Sequence, residues 1–125
     1  MARLFLMFAA CSAFFAVALG AFAAHGLKGQ LTPAALSTFQ TAVNYQFYHA
    51  LALLGLAALL YRQATPWLTA AGSFFVVGTL LFSGSLYLLA LGGPRWFGPI
   101  TPIGGVAFLC GWFCLFFASW KFPPR

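Results

Sequence analysis

Four long apolar runs, separated by short segments that contain the polar and helix-breaking residues, dominate the pattern along the chain. A transmembrane α-helix requires about 20 predominantly apolar residues, and each run reaches that length. The pattern therefore predicts an all-α integral membrane protein: one domain, residues 1–125, formed by a bundle of four transmembrane helices. The predicted spans are approximately residues 4–24, 41–61, 67–91 and 100–120.

Single basic residues and tryptophans mark the ends of these runs, as is typical of residues at a membrane border. The basic residues between or beside the runs are Arg3, Lys28, Arg62, Arg95 and Lys121, and the tryptophans are Trp67, Trp96 and Trp120.

The first run has two interpretations. Residues 1–24 resemble a signal peptide, because a basic start precedes an apolar stretch and Ala21-Phe22-Ala23 has the A-x-A form of a cleavage site. The stretch is longer than the roughly 7–15 residues of a signal core. Small residues also recur at every fourth position, which is a pattern for close helix packing. These residues are Ser12, Ala16, Gly20 and Ala24. We therefore predict that this helix is retained.

The connection after the first run contains a helix start signal. Thr32 is a suitable N-cap and Pro33 a suitable first helical residue. The segment Pro33–Gln40 is then either a short interfacial helix, as we predict, or an extension of the second span.

The composition supports a bilayer environment. The chain is 63% hydrophobic and 5% charged, and it contains six Lys or Arg but no Asp or Glu. A soluble domain has about a quarter of its residues charged. The six basic residues are scattered, whereas nucleic-acid binding needs a clustered patch, so no nucleic-acid partner is predicted. The missing carboxylates disfavour catalysis, and neither an enzyme nor a cofactor is predicted.

The basic residues also predict an orientation. In a four-span topology the N-terminus, the second loop and the C-terminus share one side. That side carries Arg3, Arg62, Lys121 and Arg125, and the opposite side carries Lys28 and Arg95. The excess predicts that both termini are cytoplasmic in a plasma (inner) membrane.

The other three runs also carry stripes of small or polar residues at helical spacing, which are typical of helix–helix interfaces. The second has Thr41, Asn44, Tyr45, Tyr48, Ala52 and Gly55; the third has Gly72, Val76, Thr79, Ser83 and Tyr87; the fourth has Gly104, Ala107, Gly111, Cys114 and Ala118.

Several polar residues fall in the external half of the predicted bundle, where they form either one network or the lining of a pocket. The candidate polar network consists of His25, Asn44, Tyr45, Tyr48, His49, Ser83, Tyr87 and Thr101. The two histidines suggest a metal site or proton relay, or else hydrogen bonds within the bundle. Because no carboxylate can complete a ligand set, no metal site is predicted.

The three cysteines, Cys11, Cys110 and Cys114, lie inside apolar runs. Thiolates bind soft metals such as Cu(I), but a buried cysteine also packs as a small apolar residue. The second interpretation is the one we predict.

Four segments in order resemble the signatures of a known family. Residues 20–27 read GAFAAHGL, residues 41–53 contain TAVNYQ and HALAL, residues 81–87 read LFSGSLY, and residues 100–105 read ITPIGG. This series is similar to the YgdD-like small membrane proteins, known as domain of unknown function 423, which eukaryotic transmembrane protein 256 resembles. Ala23 departs from the family's usual glycine. The resemblance implies four spans and a retained first helix, but it supplies no function and no site residues.

These patterns leave three hypotheses about function. The first is a non-enzymatic inner-membrane protein that acts through helix packing, as a homo-oligomer or as an accessory subunit of another membrane protein. The alternative is a small pore, carrier or lipid-binding protein that uses the candidate polar network. A membrane enzyme or metalloprotein is the weakest, because the chain has no carboxylate side chains. Membrane lipids are expected partners in every case.

Overall fold

The computed structural model describes residues 1–122, and those residues are helical apart from short connections. The elements are α1 (Ala2–His25), α2 (Pro33–Arg62), α3 (Pro66–Gly78), a π-helical segment (Thr79–Ser83), α4 (Gly84–Ala90), a 3₁₀ turn (Arg95–Phe97) and α5 (Ile100–Trp120). No strand occurs between residues 1 and 122. Because α3, the π segment and α4 are continuous, they form one span, Pro66–Ala90.

Four helices in this part of the chain are long and apolar enough to cross a membrane, which confirms the predicted fold class. The first is α1, so the apolar N-terminal run is one of the packed helices of the bundle. Arg125, which contributed to the predicted charge asymmetry, lies outside the described residues.

Threonine caps and prolines define the starts of α2 and α3. The Thr32 side chain accepts a hydrogen bond from the backbone N–H of Ala35, and Thr65 accepts one from Leu68. In both helices a proline follows the cap, where its missing N–H costs no helical hydrogen bond.

Of the two expectations for Pro33–Gln40, the structure has the extension: these residues are the first two turns of α2, and no separate interfacial helix precedes the second span. No glycine or further proline interrupts the helix before Gly55, so the segment continues directly into the apolar run.

The helices form an open arrangement. α1 packs along α2, and α5 packs along α3 and the π segment, while α2 contacts the whole third span. Near its N-terminus α1 also reaches α3, where the Phe5 ring lies against Gly72. Among the described elements the Cα atoms of α1 and α5 stay more than 8 Å apart. Clefts therefore remain between the outer helices and the third span.

Glycines bring α3 and α5 close together. Gly111 lies against the Phe75 ring, and Gly78 lies against the Phe108 ring. Near the start of α5, Gly104 lies directly on the backbone of Phe82, so that a Cβ there would collide with the Phe82 nitrogen. The stripe predicted for the fourth helix is therefore an interface within the chain.

The π segment sets the direction of the side chains that follow it. A π turn contains an extra residue compared with an α turn, so it rotates the helix face. Thr79 and Ser83 are both buried. The Thr79 hydroxyl donates to the Phe75 carbonyl at 2.8 Å, and the Ser83 hydroxyl donates to the Ala42 carbonyl of α2 at 2.8 Å.

Neighbouring glycines of α5 provide a test of this packing. We expect Gly104→Ala to destabilise the protein by about 1–3 kcal/mol, because the new methyl group must displace the backbone of the third span. Gly105→Ala is the matched control, since its Cβ meets only the far side of the Phe82 ring at 3.8 Å. Thermal unfolding in detergent measures the stability of both variants. Equal stability would contradict the close contact between Gly104 and the backbone of Phe82.

Candidate functional site

The Gln46 side chain joins three helices in the middle of the bundle. Its Nε2 donates to the backbone carbonyl of Ser12 in α1 at 2.9 Å, and its Oε1 accepts from the Tyr87 hydroxyl of α4 at 2.6 Å. The residue is 8% exposed. The hydrocarbon layer provides no hydrogen-bond partners, so this amide is satisfied by the chain itself.

Two further hydrogen bonds join α4 and the π segment to their neighbours. The bond from Ser83 to Ala42 ties the π segment to α2 one turn from Gln46. The hydroxyls of Ser85 and Thr101 lie 2.6 Å apart, which joins α4 to the start of α5.

His49 is a neutral histidine with both ring nitrogens engaged. Its Nδ1 lies 2.8 Å from the Tyr45 carbonyl. A carbonyl only accepts, so Nδ1 carries the hydrogen. The Trp112 indole N–H of α5 donates to Nε2 at 3.1 Å. The ring also stacks on Phe108 with centroids 3.5 Å apart. His49 therefore fills the gap between α2 and α5 as a bonded aromatic group and leaves no nitrogen free for a metal or a relayed proton.

The eight residues of the candidate polar network are distributed over separate places. Ser83, Tyr87 and Thr101 each bond to a different partner outside the predicted set. His49 bonds to Trp112 outside the set and to the carbonyl of Tyr45 within it. Asn44 instead accepts from Gln40 at 3.3 Å on the surface of α2.

The other three members are exposed to different degrees. Tyr48 is 55% exposed, and His25 is exposed in the last turn of α1. Tyr45 is 40% exposed, and its ring packs on the Phe82 ring with centroids 4.7 Å apart. The structure therefore contains several helix-joining pairs rather than one connected network among these residues. Whether the eight residues act together in function stays a prediction.

Sequence reasoning missed Gln46, Ser85 and Trp112, which are partners of the predicted residues. For Gln46 a signal was present, because it shares a helical face with the apolar residues Phe39, Val43 and Leu53, all of which are buried. A carboxamide on an otherwise apolar stripe of a membrane helix indicates a hydrogen bond to another helix.

A cleft of about 240 Å³ opens to the lipid side between α1, α2 and the third span. We call it the π cleft, because Thr79, Leu80 and Ser83 of the π segment line it together with Gln46 and Tyr87. Its walls are mainly apolar, and the side chains of Gln46, Thr79, Ser83 and Tyr87 in its lining are already paired with the chain.

The cysteines and histidines of the described segment form no metal-binding cluster. Within residues 1–122, no group of three or more His, Cys, Asp or Glu side chains is close enough to hold a metal ion. Cys114 is buried in the α5 stripe, Cys110 is half-buried and Cys11 is exposed, and all three are free thiols.

The chemistry of this interior is hydrogen bonding between helices. Every buried side-chain nitrogen or oxygen of the described chain has a hydrogen-bond partner. The hydroxyls of Ser83 and Ser85 bond to carbonyls or to another hydroxyl, and neither is bonded to a histidine that could act as a base. The arrangement joins helices, and it does not assemble an acid, a base and a nucleophile.

Comparison with known proteins supports this description of a membrane protein. The profile of the family described as "Protein of unknown function (DUF423)" matches residues 19–105. The UPF0382 inner membrane protein YgdD of Escherichia coli is 47% identical over 110 residues, which cover 88% of this chain and 84% of the relative.

Two more relatives match almost end to end. A UPF0382 membrane protein of Haemophilus influenzae is 45% identical over 117 residues, or 94% of each chain. One from Staphylococcus aureus is 42% identical over 120 residues, which is 96% of this chain and 98% of the relative. No solved structure matches.

Removal of one hydroxyl tests the Gln46 bridge, by which we mean the two hydrogen bonds of the Gln46 side chain to Ser12 and Tyr87. We expect Tyr87→Phe to lower the free energy of unfolding by about 0.5–2 kcal/mol, because Gln46 Oε1 loses its donor in a buried position. Tyr48→Phe is the matched control, since Tyr48 is exposed and its hydroxyl bonds to no residue in 1–122. Detergent-based thermal unfolding measures the difference, and equal effects of the two changes would exclude a stabilising bridge.

Proposed function

We propose a function for this chain from its own contacts, because it belongs to the DUF423 family, which is described as of unknown function. Its relatives here are UPF0382 membrane proteins. It is a multi-pass membrane protein. We propose that it is a non-enzymatic protein of the inner membrane, the location given in the name of the Escherichia coli relative. It acts by packing an outer helix face on a second membrane protein, as an accessory subunit, or on a copy of itself.

The polar interior supports a non-enzymatic role. The chain has no Asp or Glu, and the side chains of Gln46, His49 and Ser83 are held in bonds between helices. Opening a catalytic site there would break bonds that have no replacement in hydrocarbon. The lipid-facing surface is then the part of the molecule available for binding.

The observation that carries the proposal is the environment of Gly55 on α2. Gly72, Gly78, Gly104 and Gly111 each lie against an aromatic residue of another helix, whereas a Cβ built on Gly55 meets no atom within 4 Å. A glycine inside a helix costs about 1 kcal/mol relative to alanine. Contacts within residues 1–122 do not use this glycine, and a neighbouring helix outside the chain would gain close approach from it.

The proposed orientation keeps both termini in the cytoplasm. Arg3, Arg62 and Lys121 lie at the ends of α1, α2 and α5 that share one side in this topology. An excess of basic residues at short cytoplasmic segments supports that side as the inner one.

Substitution at Gly55 tests the packing proposal. We expect Gly55→Ala to weaken association with a copy or a co-purifying membrane protein about fivefold, because the methyl group widens the helix–helix distance. Native mass measurement after gentle solubilisation gives the ratio of complex to monomer. Gly84→Ala is the matched control, since its Cβ also meets no atom within 4 Å and the gain in helix propensity is the same.

Two outcomes would contradict this proposal. A wild-type protein that is a stable monomer with no co-purifying protein has no packing partner. An equal loss of association in both glycine variants would show that the α2 face is not the contact.

The π cleft favours one alternative function, a small pore or carrier. The cleft brings five residues with hydrogen-bonding side chains, including Gln46, Ser83 and Tyr87, to one opening at the middle of the bundle. A polar solute that exchanged hydrogen bonds with these groups would have a path between α1 and the third span. Only Ser83 and Tyr87 come from the predicted polar network.

A blocked cleft tests this alternative in liposomes that contain the purified protein. We expect Leu80→Trp to abolish solute or proton flux, because Leu80 lines the cleft and is 60% exposed, so that the larger side chain fits without disturbing the core. Val77→Trp is the control, at an exposed position of the same span outside the cleft. No wild-type flux above that of empty liposomes, or flux that Leu80→Trp leaves unchanged, would exclude this function.

A further inference from the structure

An apolar groove of about 530 Å³ runs along the lipid-facing side of α3 and α5. Phe74 of α3 and the α5 residues Leu109, Cys110 and Phe113 form its walls, and Trp67 closes one end. This groove is separate from the π cleft and from the surface of α2 around Gly55.

The groove covers most of the depth of one leaflet. At its closed end the Trp67 ring contacts the Phe117 ring, with centroids 4.5 Å apart, and at its other end it reaches Val106. Its α5 lining, from Cys114 to Val106, is about 12 Å long at 1.5 Å per residue. Half of a hydrocarbon core of about 30 Å is about 15 Å, so most of the part of an acyl chain that lies in one leaflet fits along the groove.

A second cavity, of about 300 Å³, adjoins the closed end at the membrane border. Trp67 lines both cavities, and Gln63, Thr65 and Lys121 supply the polar groups of the second one. The cavity therefore places hydrogen-bonding groups and a cation at the end of an apolar groove.

The Lys121 ammonium is held at this border by aromatic rings. Its Nζ lies 4.8 Å from the centroid of the Phe117 ring and 5.9 Å from that of Trp67. Because the chain has no Asp or Glu, no acidic side chain of the protein neutralises it.

Other charges on the same side reinforce a preference for an anion. Arg62 directly precedes Gln63, and Arg3 lies in the first turn of α1, which begins on the side where α2 ends. The formal net charge of the chain is +6. A basic residue near a membrane surface attracts anionic lipid.

We propose that the groove and the Lys121 cavity together form a binding site for one anionic phospholipid. Its phosphate lies at Lys121 and Gln63, and one acyl chain lies along Phe74, Cys110 and Phe113. The order of the two parts favours a lipid over a second copy of the chain: the charge is at the membrane border, and the apolar groove extends from there into the leaflet. In the proposed orientation this is the inner leaflet.

The headgroup half is tested by native mass measurement of the purified full-length protein with dioleoyl-phosphatidylglycerol or dioleoyl-phosphatidylcholine. We expect about fivefold more bound phosphatidylglycerol, which is the effect of one basic group at a membrane surface. We expect Lys121→Gln to lower that preference by most of this factor, since Arg62 and Arg3 on the same side remain. Arg95→Gln is the matched control, because it removes one exposed charge from a loop at the opposite end of the helices.

The acyl half is tested with Cys110→Phe, which fills the groove, against Val77→Phe, which adds the same ring to an exposed position of α3 outside the groove. We expect bound phosphatidylglycerol to fall with Cys110→Phe and to remain with Val77→Phe. Thermal unfolding of each variant identifies any that fails to fold. If Cys110→Phe fails to fold, Lys121→Gln still tests the proposal, because Lys121 is exposed and lies beyond the last helix.

Three results would overturn the proposed phospholipid site. The first is equal binding of the two lipids, and the second is an equal effect of Lys121→Gln and Arg95→Gln. The third is a bound second protein chain, instead of a lipid, that Cys110→Phe displaces. None of these depends on Gly55. Failure of the lipid site and failure of the packing proposal are therefore distinguishable.

Discussion

The Gln46 carboxamide is the contact on which the arrangement of the other helices depends. In hydrocarbon an apolar side chain gains little by moving from lipid to protein, so helix positions are set by close packing and by polar groups that need a partner. Gln46 has two such partners, on α1 and α4, and it therefore fixes three helices at one point. The bonds of Ser83 and His49 extend the same principle along α2, and the glycines of α5 complete it by bringing α3 within contact distance.

The presence of four helices long and apolar enough to cross a membrane could be predicted from the sequence, because length and hydropathy are sufficient for it. Which face of each helix points inward could not be predicted as securely. On α2 the polar stripe that contains Tyr45 and Tyr48 is exposed or half-buried, whereas the apolar stripe that contains Gln46 is buried. Lipid and protein interior are equally apolar, so hydrophobicity does not distinguish the two faces. The third span contacts both α2 and α5, and Ser83 bonds to the first while Ser85 bonds to the second. A single predicted stripe includes only one of these two sides, so Ser85 was missed.

Two different faces of the molecule are available for contacts with other molecules. The open face of α2 around Gly55 suits another helix, and the groove between α3 and α5 suits a lipid chain. Since Gly55 is exposed and does not line the groove, both faces are accessible at the same time. A partner protein and a bound phospholipid therefore do not compete for the same atoms, and the polar interior need not open for either.

The length of α2 has a consequence for the depth of the protein in the bilayer. Its 30 residues span about 45 Å, against about 30 Å of hydrocarbon. A tilt of 40°, the upper end of the usual range, still leaves about 34 Å along the membrane normal, so α2 emerges whatever its inclination. The emergent part is the two turns after Pro33, which carry Ser37, Thr38 and Gln40. In a thicker or thinner bilayer, more or less of these two turns is immersed, and the Gln46 bridge keeps its geometry.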